Sequence, residues 1–355
     1  MIDVDQPSGG ISSRTPGRGR RGRRNSEDVV YELKATVKDA IRYLANNHRP
    51  GPKRDIMLFA TRRGGSTWLM EVIAANRGVK PLDQPLSIMT DNLTAAQFRR
   101  LPKFEAGELV HLVGAEERRV EDVVSRLLSG ELTFNAPTIF WRPGFHLRTD
   151  RIVLKIVAAK ALIDWFDRRF DLDIVYLTRH PIAQSLSCIR NGWTLTTSAY
   201  LQNPWFVEHH LGEQLGMCHD VAANGSPLEQ FTLNWALENL VPLRLLPERP
   251  SWLHVSYEEC VLEPDATLER TAAALQLDDV RAMRRIMRKP SWSSGISTPE
   301  TRRRIEAGDL GFMIGGWKRS VSDDDERSAL EILERLGIDL YRAGSLSANV
   351  SWRRA

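Results

Sequence analysis

The sequence predicts an α/β fold of three layers, with a central parallel sheet flanked on both faces by helices. Three observations predict it. Short apolar runs of strand length alternate with stretches whose apolar residues recur at helical spacing, and that alternation implies parallel crossovers. The first such run, "DIMLFA" at 55–60, feeds into "TRRGGSTW", a turn with two glycines and two hydroxyls, and then into an apolar helical pattern. Composition is that of an ordinary globular protein, 42% hydrophobic and 26% charged over 355 residues.

Residues 27–46, "EDVVYELKATVKDAIRYLAN", carry apolar side chains at helical spacing and predict a first amphipathic helix, broken by "HRPGPKR". "DIMLFA" is a short buried strand, and "STWLMEVIAAN" a helix that Arg77-Gly78 closes. Between 80 and 150 the pattern is irregular. "TAAQFRRL" and "EERRVEDVVSRLLSG" have helical spacing, while "ELVHLVG" and "TIFW" have strand character. Regular alternation then resumes. "RIVLKIV" is a strand, "KALIDWFDRRF" a helix, "LDIVYLTR" a strand, and "PIAQSLSCIRNGW" a helix with Pro181 in its first turn. "LEQFTLNWALENLVPL" (helix), "SWLHVSY" (strand) and "DATLERTAAALQL" (helix) complete the series. No internal repeat appears, and no linker divides 27–355, which is expected to form one domain.

Charge is unevenly placed. Six of the 49 basic residues are arginines within residues 1–25, in "SRTPGRGRRGRRN", and without residues 1–25, which also hold Asp3 and Asp5, the chain is formally neutral. Gly, Ser, Pro and Arg with almost no apolar side chains cannot bury enough surface to fold, so residues 1–26 read as a disordered Arg/Gly-rich tail. Contact with nucleic acid, if any, would be confined to that tail. Cys188, Cys218 and Cys260 are far apart in no metal-ligand spacing. No apolar run reaches the length of a membrane span, and no apolar leader opens the chain. The expected setting is the cytoplasm, with no metal and no transmembrane segment.

The turn at 61–68 is built for an anion. Gly64 and Gly65 permit close backbone approach, the helix start directs N–H groups and partial positive charge at the same point, and Ser66 and Thr67 add hydroxyl donors. Arg62 and Arg63 add fixed charge with planar donors. No Gly-Lys-Ser/Thr follows the glycines, which disfavours magnesium-dependent triphosphate hydrolysis.

"TRRGGSTW" resembles the 5′-phosphosulfate-binding loop of sulfotransferases that use 3′-phosphoadenosine 5′-phosphosulfate (PAPS). That loop has a Lys or Arg, a small residue, Gly, two hydroxyl residues and often Trp. Here these are Arg63, Gly64, Gly65, Ser66, Thr67 and Trp68. A second motif, "IVYLTRHPIAQSLSCIRNGW", is similar to the family's 3′-phosphate-binding element: apolar strand, Arg179, Pro181, then Ser187 eight residues after the arginine. Weaker similarities are carried by Trp235 and Asn239, by Tyr257 in "HVSYEEC", and by Gly316, Trp317 and Lys318 in "GGWKR". The resemblance covers most of residues 54–320, closer to the carbohydrate and bacterial branch. It implies a P-loop-like fold, PAPS as donor, no metal, and a hydroxyl acceptor on a small molecule, glycan or lipid.

Two departures stand out. Where cytosolic relatives carry Arg-Lys-Gly ahead of the terminal Trp-Lys, this chain has Leu310, Gly311 and Phe312; Arg302, Arg303 and Arg304 lie just upstream. Where carbohydrate-type relatives place a Glu-Pro after the loop, this chain reads "PLDQPLS", with Gln84 at that position and Asp83 beside it. Asp83 is the first candidate for general base and His146 the second, with Arg63 as the fixed cation of the transfer. Lys155 either supports a phosphate or is exposed. The acceptor pocket is expected from 80–150, 192–225 and 290–300, with Trp193, Trp205, Phe206 and Trp292 as candidate lining. Competing readings are a nucleotide-dependent phosphotransferase on a similar fold and a non-catalytic nucleic-acid-binding protein acting through the tail.

Overall fold

A five-stranded parallel sheet organises the chain. It is seen in a computed structural model that describes residues 47–86, 108–132, 146–290, 300, 303–304 and 307–351. The tail, the helix expected over 27–46, "TAAQFRRL" and "TIFW" lie outside the described residues, as do Trp292 and Arg302.

The strands are β1 (Asp55–Ala60), β2 (Val79–Asp83), β3 (Arg151–Ile156), β4 (Leu172–Thr178) and β5 (Leu253–Ser256), in spatial order β2-β3-β1-β4-β5. Side chains alternate across β1 as the period of two requires. Ile56 and Leu58 face a layer formed by α1 (Ser66–Ala74), α7 (Pro264–Ala274) and α8 (Val280–Met287). Met57 and Phe59 face the other layer, where α2 (Gly114–Leu128) and α3 (Ile163–Arg169) pack. A third apolar cluster joins α4 (Pro181–Arg190), α5 (Pro227–Leu245) and α9 (Asp323–Arg335). Three layers and a parallel sheet are therefore present.

Local sequence explains the element starts near the carboxyl edge. Pro181 occupies the first turn of α4, where its missing N–H is harmless. Ser256 and Glu259 form a reciprocal capping box that opens α6 (Tyr257–Leu262) directly at the end of β5. Tyr257 is thereby fixed at the strand's carboxyl end.

Two expectations fail. "ELVHLVG" is not a strand: residues 109–113 run as irregular chain, with Leu109, Val110 and Leu112 buried and the Leu109 N–H donating to the Ala158 carbonyl at 2.7 Å. Apolar content there reflects burial, which a strand-length run cannot separate from strand pairing. Conversely "VKPLD" forms β2 despite Pro81. It is an edge strand, where a missing donor is tolerated.

Candidate functional site

The loops after β1, β3 and β4 and the start of α6 converge at the carboxyl edge, on either side of the point where the strand order reverses around β1. Open α/β sheets hold ligands at this location. A cavity of about 640 Å³ opens there.

Its floor is the turn at 61–65. The Gly64 N–H donates to the Thr61 carbonyl at 3.1 Å, and a Cβ on Gly64 would meet that oxygen at 2.9 Å. Gly65 caps α1 in the left-handed conformation, φ 93°, and a Cβ there would strike the Tyr257 ring at 2.9 Å. No side chain caps α1, so its first N–H groups have no side-chain acceptor. The sequence puts glycine where only glycine fits, and the result is a row of donors facing the cavity.

Arg63 also has a positive φ, 61°, although it carries a Cβ. Two contacts hold it: its Nε donates to Ser187 Oγ at 3.1 Å, and its carbonyl accepts from Arg179 NH1 at 2.9 Å. The two motifs, more than 110 residues apart, thus meet through one residue. Arg179 lies with its guanidinium carbon 4.4 Å from the Tyr257 ring centre. Its turn is fixed from behind by Glu258, whose Oε1 accepts from the His180 N–H at 2.9 Å. Burial, followed by the nearby Arg179 charge, pulls the Arg63 guanidinium below its ordinary pKa, and Arg190 adds to the effect. Crowded cations of this kind favour an arriving anion.

Lys155 is buried on β3 at 1% exposure, and is not an exposed lysine. Its Nζ donates to Thr67 Oγ1 at 2.9 Å and pairs with Asp83 Oδ1 at 2.5 Å. Burial pushes its pKa down, against the pull of Asp83. Asp83 and Gln84, at the end of β2, line the same cavity. Trp68 lines the next wall, donating from Nε1 to the Met287 carbonyl at 3.2 Å, which ties α1 to the end of α8. Arg284, Arg288 and Lys289 face the cavity from that side.

Of the residues singled out from sequence, Arg62, Arg63, Gly65, Ser66, Thr67, Trp68, Asp83, Arg179 and Tyr257 line the cavity. Gly64 and Ser187 stand directly behind it through the contacts above. Three do not line it. His146 donates from Nε2–H to the Ala74 carbonyl, 3.3 Å away, at the far end of α1. That is the amino edge of the sheet, so His146 cannot reach a group held at the glycine turn. Trp317 is buried against His180, rings 4.7 Å apart, and Lys318 pairs with Glu326 at 3.7 Å. Neither lines the cavity; the segment that carries them packs behind α4 instead. Arg304 is taken up by Glu300 and Asp309. Trp193 lines the cavity, whereas Trp205 is stacked between His111 and His209, and Phe206 and Trp235 are core. Among the described residues no three His, Cys, Asp or Glu side chains group for a metal ion, and no helix is long and apolar enough to cross a membrane.

No family model and no curated protein matches the chain. Solved structures do resemble it. The sulfotransferase domain of the Synechococcus PCC 7002 olefin synthase is 16% identical, covers 83% of this chain and 98% of its own, and superposes with a TM-score of 0.45. The sulfotransferase domain of the curacin biosynthetic pathway is 15% identical over 82% of this chain and 100% of its own, TM-score 0.45. A mouse sulfotransferase complexed with PAP is 14% identical over 85% and 90%, TM-score 0.38. All three are sulfotransferases.

Proposed function

We propose that the protein is a sulfotransferase that takes the sulfuryl group of PAPS and delivers it to a hydroxyl of a small molecule, glycan or lipid. The observation that carries this reading is the junction at Arg63. Two anion cradles, the uncapped diglycine turn and the Arg179–Ser187 pair, adjoin through that residue at one cavity. A ligand phosphorylated at both ends of an adenosine is what such a pair fits.

Charge supports the reading. Three cations of the cavity wall have carboxylate partners: Arg62 with Glu108, Lys155 with Asp83, and Arg284 with Asp265. Among the described residues Arg63, Arg179, Arg288 and Lys289 have none in ion-pair range. The donor carries about four negative charges near neutrality. Arg288 and Lys289 share the cavity wall with Leu310, which supplies no charge. A Cβ-free cradle at Gly65 and unsatisfied donors at the start of α1 suit its 5′ end.

PAPS supplies an activated sulfur whose bond to the 5′-phosphate oxygen breaks as the acceptor oxygen–sulfur bond forms. The chain's own residues position and stabilise, which is most of what such a transfer requires. Arg63 and the turn N–H groups neutralise charge that builds on the departing phosphate. Lys155, held between Thr67 and Asp83, is placed to contact the moving group. As Lys155 turns to it, the Asp83 carboxylate is unmasked to take the acceptor's proton. Nothing in this scheme calls on a metal ion.

The deciding experiment is calorimetric titration with 3′,5′-diphosphoadenosine, followed by transfer of labelled sulfate from PAPS into cellular extract. Arg63→Ala is expected to bind the nucleotide more weakly and to lose roughly 10²–10³-fold in turnover while melting as the wild type does. Near-normal turnover in that variant removes Arg63 from the chemistry. Tight binding of ATP with magnesium, and none of diphosphoadenosine, would favour a phosphotransferase instead.

A further inference from the structure

Behind the glycine turn lies a cluster of buried charges that the transfer scheme does not use. Glu108 is 2% exposed. Its Oε1 accepts from Arg62 NH2 at 3.2 Å, and its Oε2 accepts from the Tyr200 hydroxyl at 3.4 Å and lies 3.9 Å from Lys160 Nζ. Lys160 is wholly buried and pairs with Glu238 at 3.0 Å. Glu238 in turn accepts from the Thr196 hydroxyl at 2.9 Å and the Asn234 amide at 2.8 Å. Two carboxylates and two cations thus come from four separate segments: the turn after β1, the chain ahead of α2, the turn after β3, and α5.

Of these four charges Arg62 alone lines the cavity. Its main chain is pinned by Gln184 Nε2, which donates to the Arg62 carbonyl at 2.7 Å. Its guanidinium lies 5.8 Å from the Trp193 ring centre, on the same cavity wall. What remains adjustable is the guanidinium's charge balance, and that depends on Glu108.

We propose that Glu108 is a positioning residue that sets the charge of the anion cavity: ionised, it holds and neutralises Arg62 at the wall, and without its charge Arg62 becomes a further free cation facing the ligand. The inference rests on the reading that the cavity takes an anionic nucleotide. Burial pushes the Glu108 carboxyl up to about 7; Lys160 opposes the rise, Glu238 adds to it, and Arg62 and the Tyr200 hydrogen bond oppose it. The contact therefore changes charge within the working range of pH. As pH falls through that value Glu108 takes a proton, Arg62 is released from its counter-charge, and anions bind more tightly.

Glu108→Gln keeps the shape and removes the charge. Two probes are titrated from pH 6 to 8.5 into wild type and variant: 3′,5′-diphosphoadenosine, and inorganic sulfate, which does not titrate in that range. The variant is expected to bind each roughly three- to tenfold more tightly at pH 8.5, converging on wild type at pH 6, as one unmasked charge at short range would give. The ligand's own ionisation is common to both proteins and cancels in the ratio. Adding Arg62→Gln should abolish the gain. A ratio independent of pH, or a gain that survives Arg62→Gln, overturns the proposal. If Glu108→Gln does not fold, Arg62→Gln alone decides it: the wild-type rise in sulfate affinity toward pH 6 must vanish, and its persistence is fatal. If the wild type holds sulfate with this dependence but not the nucleotide, the donor reading fails and the role of Glu108 stands.

Discussion

Two arginines mark opposite edges of the same sheet. Arg151 opens β3 at the amino edge, 3% exposed, and each of its three guanidinium nitrogens donates a hydrogen bond. It donates to the Arg54 and Leu275 carbonyls at 2.5 Å each and to Asp173 at 2.6 Å. Arg179 follows β4 at the carboxyl edge and is left incomplete. It has one carbonyl and the Tyr257 ring, its buried Nε has no hydrogen-bond partner, and no carboxylate of the described residues is in ion-pair range. A buried polar group left unpaired costs stability, so its persistence points to something that completes it. One arginine is committed to structure; the other keeps donor capacity at the cavity wall.

That contrast can be broken by substitution. Arg151→Met strands Asp173 and two carbonyls and should cost about 3–5 kcal/mol, read from denaturant unfolding. The loss should grow with pH. Asp55, raised to about 6 chiefly by burial and held down in part by Arg151, keeps its proton in the folded state above its unfolded range, so it loses stability as pH rises. Removing Arg151 raises Asp55 and Asp173 further, and the deficit at pH 8 should exceed that at pH 5; an equal deficit at both would separate Asp55 from Arg151. Arg179→Ala should do the reverse. Diphosphoadenosine affinity is expected to drop roughly 10–100-fold, the worth of a charged hydrogen bond or two, with little change in melting. Should it instead melt like the Arg151 variant, the two edges are alike. The smallest effect belongs to His146→Ala at the amino edge: about 1 kcal/mol of stability for its bond to Ala74, and no change in nucleotide affinity.

The parts of the site that were legible in sequence are those where chemistry is local. A turn of adjacent glycines and hydroxyls between an apolar run and a helix announces an anion cradle within eight residues, and Arg179 with Ser187 needs only one strand end and two helical turns. What stayed hidden depends on distant packing. Lys155 reads as a lysine in a strand; only the neighbouring β2 shows that it is buried against Asp83. β2 itself was missed because Pro81 argues against a strand unless the strand is known to be an edge. Glu108 sits in a stretch that reads as apolar, and its partners Lys160 and Tyr200 lie 52 and 92 residues away, beyond any periodic signal. Trp317 and Lys318 are the opposite case, a local match whose residues pack against His180 and Glu326 and do not line the cavity.

The positive φ at Arg63 has a consequence for the order of events. A residue with a Cβ in that conformation costs about 1–3 kcal/mol and persists only where its neighbours hold it, and the restraints here are Ser187 and Arg179. On the proposed donor reading, a ligand that draws the Arg63 side chain toward the glycine turn takes it from the Ser187 hydroxyl, so occupancy of the two motifs is expected to be linked through this one contact.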